Sequence, residues 1–169
     1  MITFADASDA SNLVIDKYSY VALYGRDCAY PCPVDISDKW DGEHKRFITQ
    51  HGDAICSIID FEQYTKDYAD PELLRDWLQA RLRDKSRRHA WIYSDLSNAA
   101  LAAHWARGLP FQWWIATDDQ MKRSRTELSA LLKEYDVPAE YARVELIAGN
   151  QWLNTGSVDE SLCYVNANW

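Results

Sequence analysis

The sequence predicts an α/β protein built on a parallel sheet covered by helices, closed or nearly closed into a barrel. Three observations carry this. Short apolar runs alternate with segments of helical period, in the order β-β-α-β-α-β-α-β-α-β-β. The spacings are those of βα units. Seven strand candidates in 169 residues suit a barrel, with an open doubly wound sheet as the rival.

The elements follow in order. Residues 2–5 (ITFA) form a short strand, and 18–24 (YSYVALY) are β-rich and end at Gly25. Residues 35–50 are expected to be a helix, with Trp40, Phe47 and Ile48 on one side and Gly52 as a stop. Residues 54–61 (AICSIIDF) are a strand apolar enough to be buried on both faces. The helix expected at 71–83 has Asp70 as N-cap, Pro71 at its first position, and Leu74, Trp77, Leu78 and Leu82 at spacings of three and four. A strand at 89–94, a helix at 96–107 ending before Gly108, and a strand at 111–117 come next. A helix at 121–135 turns Leu128, Leu131 and Leu132 inward and stops before Pro138. Strands at 144–148 and 161–165 close the list, the last in a region that Asp159 opens. No repeat, low-complexity tract or linker divides the chain, so residues 1–169 are expected to be one domain.

Composition narrows the function. Lys and Arg number 18 against 26 Asp and Glu, a net charge of −8. That balance opposes non-specific binding to nucleic acid and docking on an anionic membrane. No apolar run is long enough to cross a bilayer. The N-terminal residues lack a basic, then apolar, leader pattern, so synthesis in the cytoplasm is expected. Without a secretory signal, the four cysteines are expected to stay reduced. Eight Trp and ten Tyr are a heavy load of flat amphipathic rings. Such rings fill cores, and their faces also suit the C–H faces of sugars.

Acidic residues collect at the predicted strand ends, where β/α barrels place their chemistry. Asp6, Asp60 with Glu62, Asp95, Asp118 with Asp119, and Asp159 all fall there. Asp60 and Glu62 are the most informative, because residues i and i+2 of a strand share a face, about 6.5–7 Å apart. Two close carboxylates in a partly apolar mouth do not both ionise freely, so one can act as an acid. Glycoside hydrolysis uses such a pair. As ordinary sequence features, the same residues would simply begin a solvated loop.

Several stretches, FADAS at 4–8, SIIDFEQ at 57–63, AWIYSD at 90–95, QWWIATDD at 112–119 and NQWLNTGSVDESLCY at 150–164, stand in an order that resembles the glycoside hydrolase family 25 lysozymes. Related glycoside-hydrolase-like barrels of phages and actinobacteria share it. The resemblance implies a (β/α) TIM-like barrel, reduced or incomplete, of seven to eight strands. It implies N-acetylmuramidase activity on peptidoglycan, as in a phage endolysin acting at the cell wall, with no metal or cofactor. Glu62 would be the general acid. Asp60 would orient the N-acetyl group or stabilise the developing charge, and Asp6 and Asp159 would lie at the floor of the site. Tyr93, Trp114, Gln151 and Trp152 would line the sugar groove. The segment between the YVALYG and SIIDFE stretches is shorter than that family carries, so a βα unit is expected to be missing or reduced. A non-catalytic barrel of the same ancestry, binding cell-wall glycan or a host protein, is the alternative.

Other candidates are weaker. Cys28 and Cys32, flanked by Pro31 and Pro33, lack a second Cys/His pair at zinc-ligand spacing, and are otherwise a loop disulfide or packing residues. His44, His51, His89 and His104 are scattered over different elements. The chain has no nucleophile elbow and no phosphate-binding glycine loop. Arg81, Arg83, Lys85, Arg87 and Arg88 are expected to form a solvated helix end that complements the macrodipole. Asp118 and Asp119 are expected to meet solvent or cap the next helix. Trp113 and Trp114 are expected to split between the two faces of their strand.

Overall fold

The computed structural model describes residues 2–7, 21–24, 45–49, 58–62, 71–83, 90–155 and 158–164. They form a mixed α/β structure. A mostly parallel sheet of five strands runs in the order β4 (Ile58–Asp60), β5 (Trp91–Asp95), β6 (Gln112–Ala116), β7 (Ile147–Asn154) and β8 (Asp159–Cys163). Three helices accompany it: α1 (Pro71–Arg83), α2 (Leu96–Trp105) and α3 (Arg125–Glu134). Three further strands are β1 (Ile2–Ala7), β2 (Val21–Tyr24) and β3 (Lys45–Thr49). Among the described residues, no helix is long and apolar enough to cross a membrane.

The central strands are buried on both faces, which is why they read as continuous apolar runs. Ile59, Phe61, Ile92, Trp113, Ile115 and Ile147 face the helices. There they meet Leu74, Trp77 and Leu78 of α1, Ala99, Ala102 and Ala103 of α2, and Leu128 and Leu132 of α3. Each large side chain so buried contributes about 1.5–3 kcal/mol relative to exposure. The small residues of α2 let that helix lie close to the sheet. On the opposite face, Ile58, Trp91, Tyr93 and Trp114 are equally buried. Trp113 and Trp114 thus divide between the faces as their alternation requires.

Capping sets the helix boundaries. Asp95 caps α2, and its carboxylate accepts from Asn98 N at 2.8 Å. Arg75 of α1 donates to the carbonyls of Trp105 and Arg107 at 2.9 and 3.2 Å, which satisfies the C-terminal end of α2. Ser124 and Glu127 form a reciprocal capping box at the start of α3. This is why α3 begins at Arg125 and not at Met121. The expected N-cap of α1, Asp70, lies outside the described residues.

Three expectations are corrected. Residues 45–49, assigned to a helix, are strand β3: the β-favouring Phe47, Ile48 and Thr49 outweigh a helical pattern that rested on few apolar positions. The stretch thought to lack a βα unit therefore supplies a strand. Residues 144–148 are not one strand. Val144–Leu146 is a 3-10 turn, and β7 then runs on through Asn154. Finally, the sheet is not wholly parallel, because β8 pairs antiparallel with β7.

Candidate functional site

The ends of β4, β5 and β6, the outer half of β7 and the start of β8 lie at one rim. Parallel strands bring their C-terminal ends together. The antiparallel β8 returns its first residue to the same edge, with Asp159 opposite Asn154 of β7.

Glu62 follows β4 directly and is 8% exposed, a buried carboxyl just beyond an apolar strand. Asp60 is the register partner of Tyr93. Asp6 stands in β1 in antiparallel register with Asp159. The side chains of Asp60 and Asp6 lie outside the described residues, and so does the expected meeting of Asp60 with Glu62.

Past β6 the chain turns sharply. Asp118 and Gln120 adopt left-handed backbone angles, φ 49° and 61°, a conformation that Asp and Asn tolerate better than most residues. The turn is held to β7. Thr117 N donates to the Gln151 carbonyl at 2.9 Å, and Asn150 Nδ2 donates to Thr117 Oγ1 at 3.2 Å. Asp118 is thereby exposed at the rim, and Gln151 Nε2 lies 3.5 Å from its Oδ1. Although the residue as a whole is exposed, desolvation of its carboxyl against the rim is the main influence that raises the proton affinity of Asp118; the Gln151 contact opposes it, and the nearby charges of Asp95 and Asp119 add to it. Asp159 is half-buried, and its carboxyl is pushed up to about 6, first by burial and then by the charge of Asp118. The charge of Asp118 thus bears on Asp159, as those of Asp95 and Asp119 bear on Asp118.

The neighbouring acids are committed elsewhere. Asp95 accepts from Asn98 N, Asn98 Nδ2 and Ser97 Oγ at 2.7–2.8 Å. Asp119 pairs with Arg123 and accepts from Met121 N at 3.1 Å. Desolvation works against its ionisation, but these contacts prevail and keep its carboxyl below the usual range.

The residues assigned to a sugar groove divide into two groups. Tyr93 and Trp114 meet edge-to-face with centroids 4.7 Å apart, and both are buried. Trp114 Nε1 donates to Ser161 Oγ at 3.0 Å. They pack the interior of the sheet and present no open face. Gln151 and Trp152 sit at the rim, inside β7 and not beyond it. The ladder shifts register between Gln151 and Leu153, and such a bulge re-aims side chains. Trp152 is half-buried, with the Lys122 ammonium 4.5 Å from its ring centroid. Gln151 Oε1 and Trp152 Nε1 are buried atoms without a hydrogen-bond partner.

Of the other candidates, His104 is exposed on α2 and edge-on to Trp105, and Cys163 is buried at the end of β8. Cys28, Cys32, Cys56, His44, His51 and His89 lie outside the described residues, as do Lys85, Arg87 and Arg88. Arg81 departs from the expected solvated helix end, being 5% exposed; its aliphatic stem can pack on apolar surface. Among the described residues, no three His, Cys, Asp or Glu side chains are grouped as a metal site.

No family model, curated protein or solved structure matches the chain.

Sequence inspection missed the partnership of Asp118 with Gln151. The signals available were the Thr-Asp-Asp turn after a β-rich run and the Ser-x-x-Glu box at 124–127. Together they put 118–123 in a loop at the strand ends and not in a helix.

Proposed function

We propose that the chain is a glycoside-hydrolase-like barrel that degrades peptidoglycan as an N-acetylmuramidase, of the family 25 lysozyme kind. Support for the closed (β/α) TIM-like form comes from the outer strands. β1 pairs with β2, β2 with β3 and β3 with β4, all parallel, and β1 pairs antiparallel with β8. In this reading eight strands surround one interior, and the acids at their ends share one mouth.

The observation that carries the functional reading is the placement of Glu62, Asp118 and Asp159 at the ends of β4 and β6 and the start of β8, where Asp159 is half-buried with its proton affinity raised. Acids with different proton affinities at one site are what glycosidic bond cleavage requires. Glu62 protonates the leaving oxygen. Asp60 orients the N-acetyl group or balances the charge at the anomeric carbon. Asp6 and Asp159 hold the floor, and Gln151 and Trp152 contact the sugar. A phage lysin of this type acts at the cell wall, with peptidoglycan or another glycan as its partner.

One observation favours a second reading, a catalytically inactive barrel that binds cell-wall glycan or a host protein. Tyr93, beside Asp60 in register, packs against Trp114 and occupies interior space. Turbidity clearing of a peptidoglycan suspension separates the two. A muramidase clears it, and Glu62→Gln abolishes clearing while the thermal midpoint stays within a few degrees of wild type. Saturable glycan binding by the wild type without clearing supports the inactive barrel. Neither clearing nor glycan binding overturns both.

A further inference from the structure

We propose that Asp118, Asp159 and Gln151 form a subsite for a primary ammonium group, of the kind an amino sugar with a free amine presents. The ammonium chemistry stands on the three side chains. The choice of a sugar as its carrier rests on the glycan reading above.

The three residues come from separate elements that converge at one rim. Asp118 lies on the turn after β6, Gln151 on β7 and Asp159 at the start of β8. They grade from exposed through half-buried to buried, with Gln151 only 1% exposed. Its carboxamide has its donor end on Asp118 at 3.5 Å, while Oε1, at the other end of the same group, is buried without a hydrogen-bond partner. A buried polar atom in that condition calls for a donor.

Asp118 accepts from Gln151 and Asp159 from the Thr155 backbone, but neither carboxylate has its charge answered. Among the described residues, neither Asp118 nor Asp159 has a cation within ion-pair distance, whereas Asp119 is taken up by Arg123 and Lys122 lies over Trp152. The charge of Asp118 bears on Asp159, and those of Asp95 and Asp119 bear on Asp118. The rim therefore holds acceptors and negative charge in excess. A hydroxyl supplies one donor and no charge. A protonated amine supplies several N–H donors and a positive charge, which answers both deficits.

Titration calorimetry of the full chain near neutral pH tests this with a β-1,4-linked glucosamine trimer bearing free amines and with its fully N-acetylated counterpart. The free-amine trimer is expected to bind at least about tenfold more tightly, the scale of one charge-assisted hydrogen bond. Asp118→Asn is expected to remove that preference, read as the ratio of the two affinities measured on the same variant. Asp118 is exposed, so the variant is expected to keep the wild-type melting curve, recorded alongside. Equal affinity for the two trimers overturns the subsite and leaves the glycan reading intact. Indifference to Asp118→Asn, or no heat with either trimer, also overturns it. Displacement of the amine by an equal concentration of magnesium ion overturns it in favour of a metal site. Failure of the clearing assay with amine preference retained defeats the muramidase reading alone.

Discussion

A Cβ on Gly149 would stand 3.0 Å from Cδ1 of the Trp114 indole and 3.2 Å from the Leu162 carbonyl oxygen. Trp114 occupies the volume that a side chain at 149 would need, and the backbone of β8 closes the far side. The indole in turn reaches past β7 to donate to Ser161 Oγ of β8 at 3.0 Å. Glycine at 149 is thus what allows a tryptophan to tie β6 to β8 across the strand between them.

Gly149→Ala is therefore expected to destabilise the protein by about 1–3 kcal/mol, the usual consequence of overpacking. The carbonyl cannot yield as a flexible side chain would. Urea unfolding followed by tryptophan fluorescence reads the change, as a lower midpoint at unaltered slope. A midpoint equal to wild type would show that Trp114 has room to move.

The same glycine explains why part of the fold escaped the sequence. The strand expected at 144–148 left Gln151 and Trp152 beyond its end, and Gly149, with no side chain to mark a buried face, gives no sign that the strand continues. Burial of Ile147 through Gln151 shows one continuous strand. Central elements were legible because their signals are strong: Pro71 opens α1, and Trp113-Trp114-Ile115 can only be a strand buried on both sides. β3 was not legible, since Lys45 and Arg46 break the apolar run and Phe47-Ile48 serves either period. The site was half legible. Acids at strand ends follow from topology, but which of them interact depends on a left-handed turn at Asp118 and on a carboxamide three strand positions from Ala148. Neither feature has a periodicity.

Ser124→Ala tests the start of α3. Ser124 Oγ accepts from Glu127 N at 3.3 Å, and Glu127 accepts from Ser124 N at 2.7 Å. Loss of the hydroxyl leaves a first-turn donor without its cap, for a cost of about 1 kcal/mol. Ser124→Asp, which keeps an acceptor at the cap and favours the helix N-terminus, is expected to lose less. Chemical denaturation of the two variants in parallel provides the comparison, and the reverse ranking would contradict the capping role.

Asp95→Ala removes three acceptor contacts at once, to Asn98 N, Asn98 Nδ2 and Ser97 Oγ. Destabilisation of about 1–2 kcal/mol is expected. The variant also removes a negative charge that bears on Asp118, so the Asp118 carboxyl is expected to titrate at lower pH. Thermal melts measure the first effect, and carbon NMR of the carboxyl measures the second. A melt unchanged from wild type would show that α2 does not depend on this cap.

Asp159 gives the protein a pH dependence of definite sign. Its folded carboxyl titrates at about 6 against 3.8 when unfolded. The folded state therefore holds more protons between those values, and this residue's contribution to stability falls as pH rises through that window. Full conversion of the shift into energy would overstate the effect for a half-buried group, so about 1 kcal/mol is expected. Asp159→Asn is expected to stabilise the protein above the window and to match wild type more closely below it. Unfolding free energies of both proteins across that range decide the matter, because their difference cancels every other titrating group that the substitution leaves unperturbed. A difference that is flat with pH, or that grows toward acid, would remove Asp159 from the account.

The cause of that shift is separable from its size. Burial acts on Asp159 whatever its neighbours carry, whereas the charge of Asp118 acts only while Asp118 is ionised. Asp118→Asn leaves the burial in place and deletes the charge, so the Asp159 carboxyl is expected to titrate below its wild-type value of about 6 yet still above 3.8. Site-resolved carbon NMR of the Asp159 carboxyl follows this directly, with no need for a substrate. A midpoint that fell all the way to 3.8 would mean that charge alone raised it. An unmoved midpoint would mean that the two side chains do not interact, and it would separate the acids on which the proposed chemistry at this rim depends.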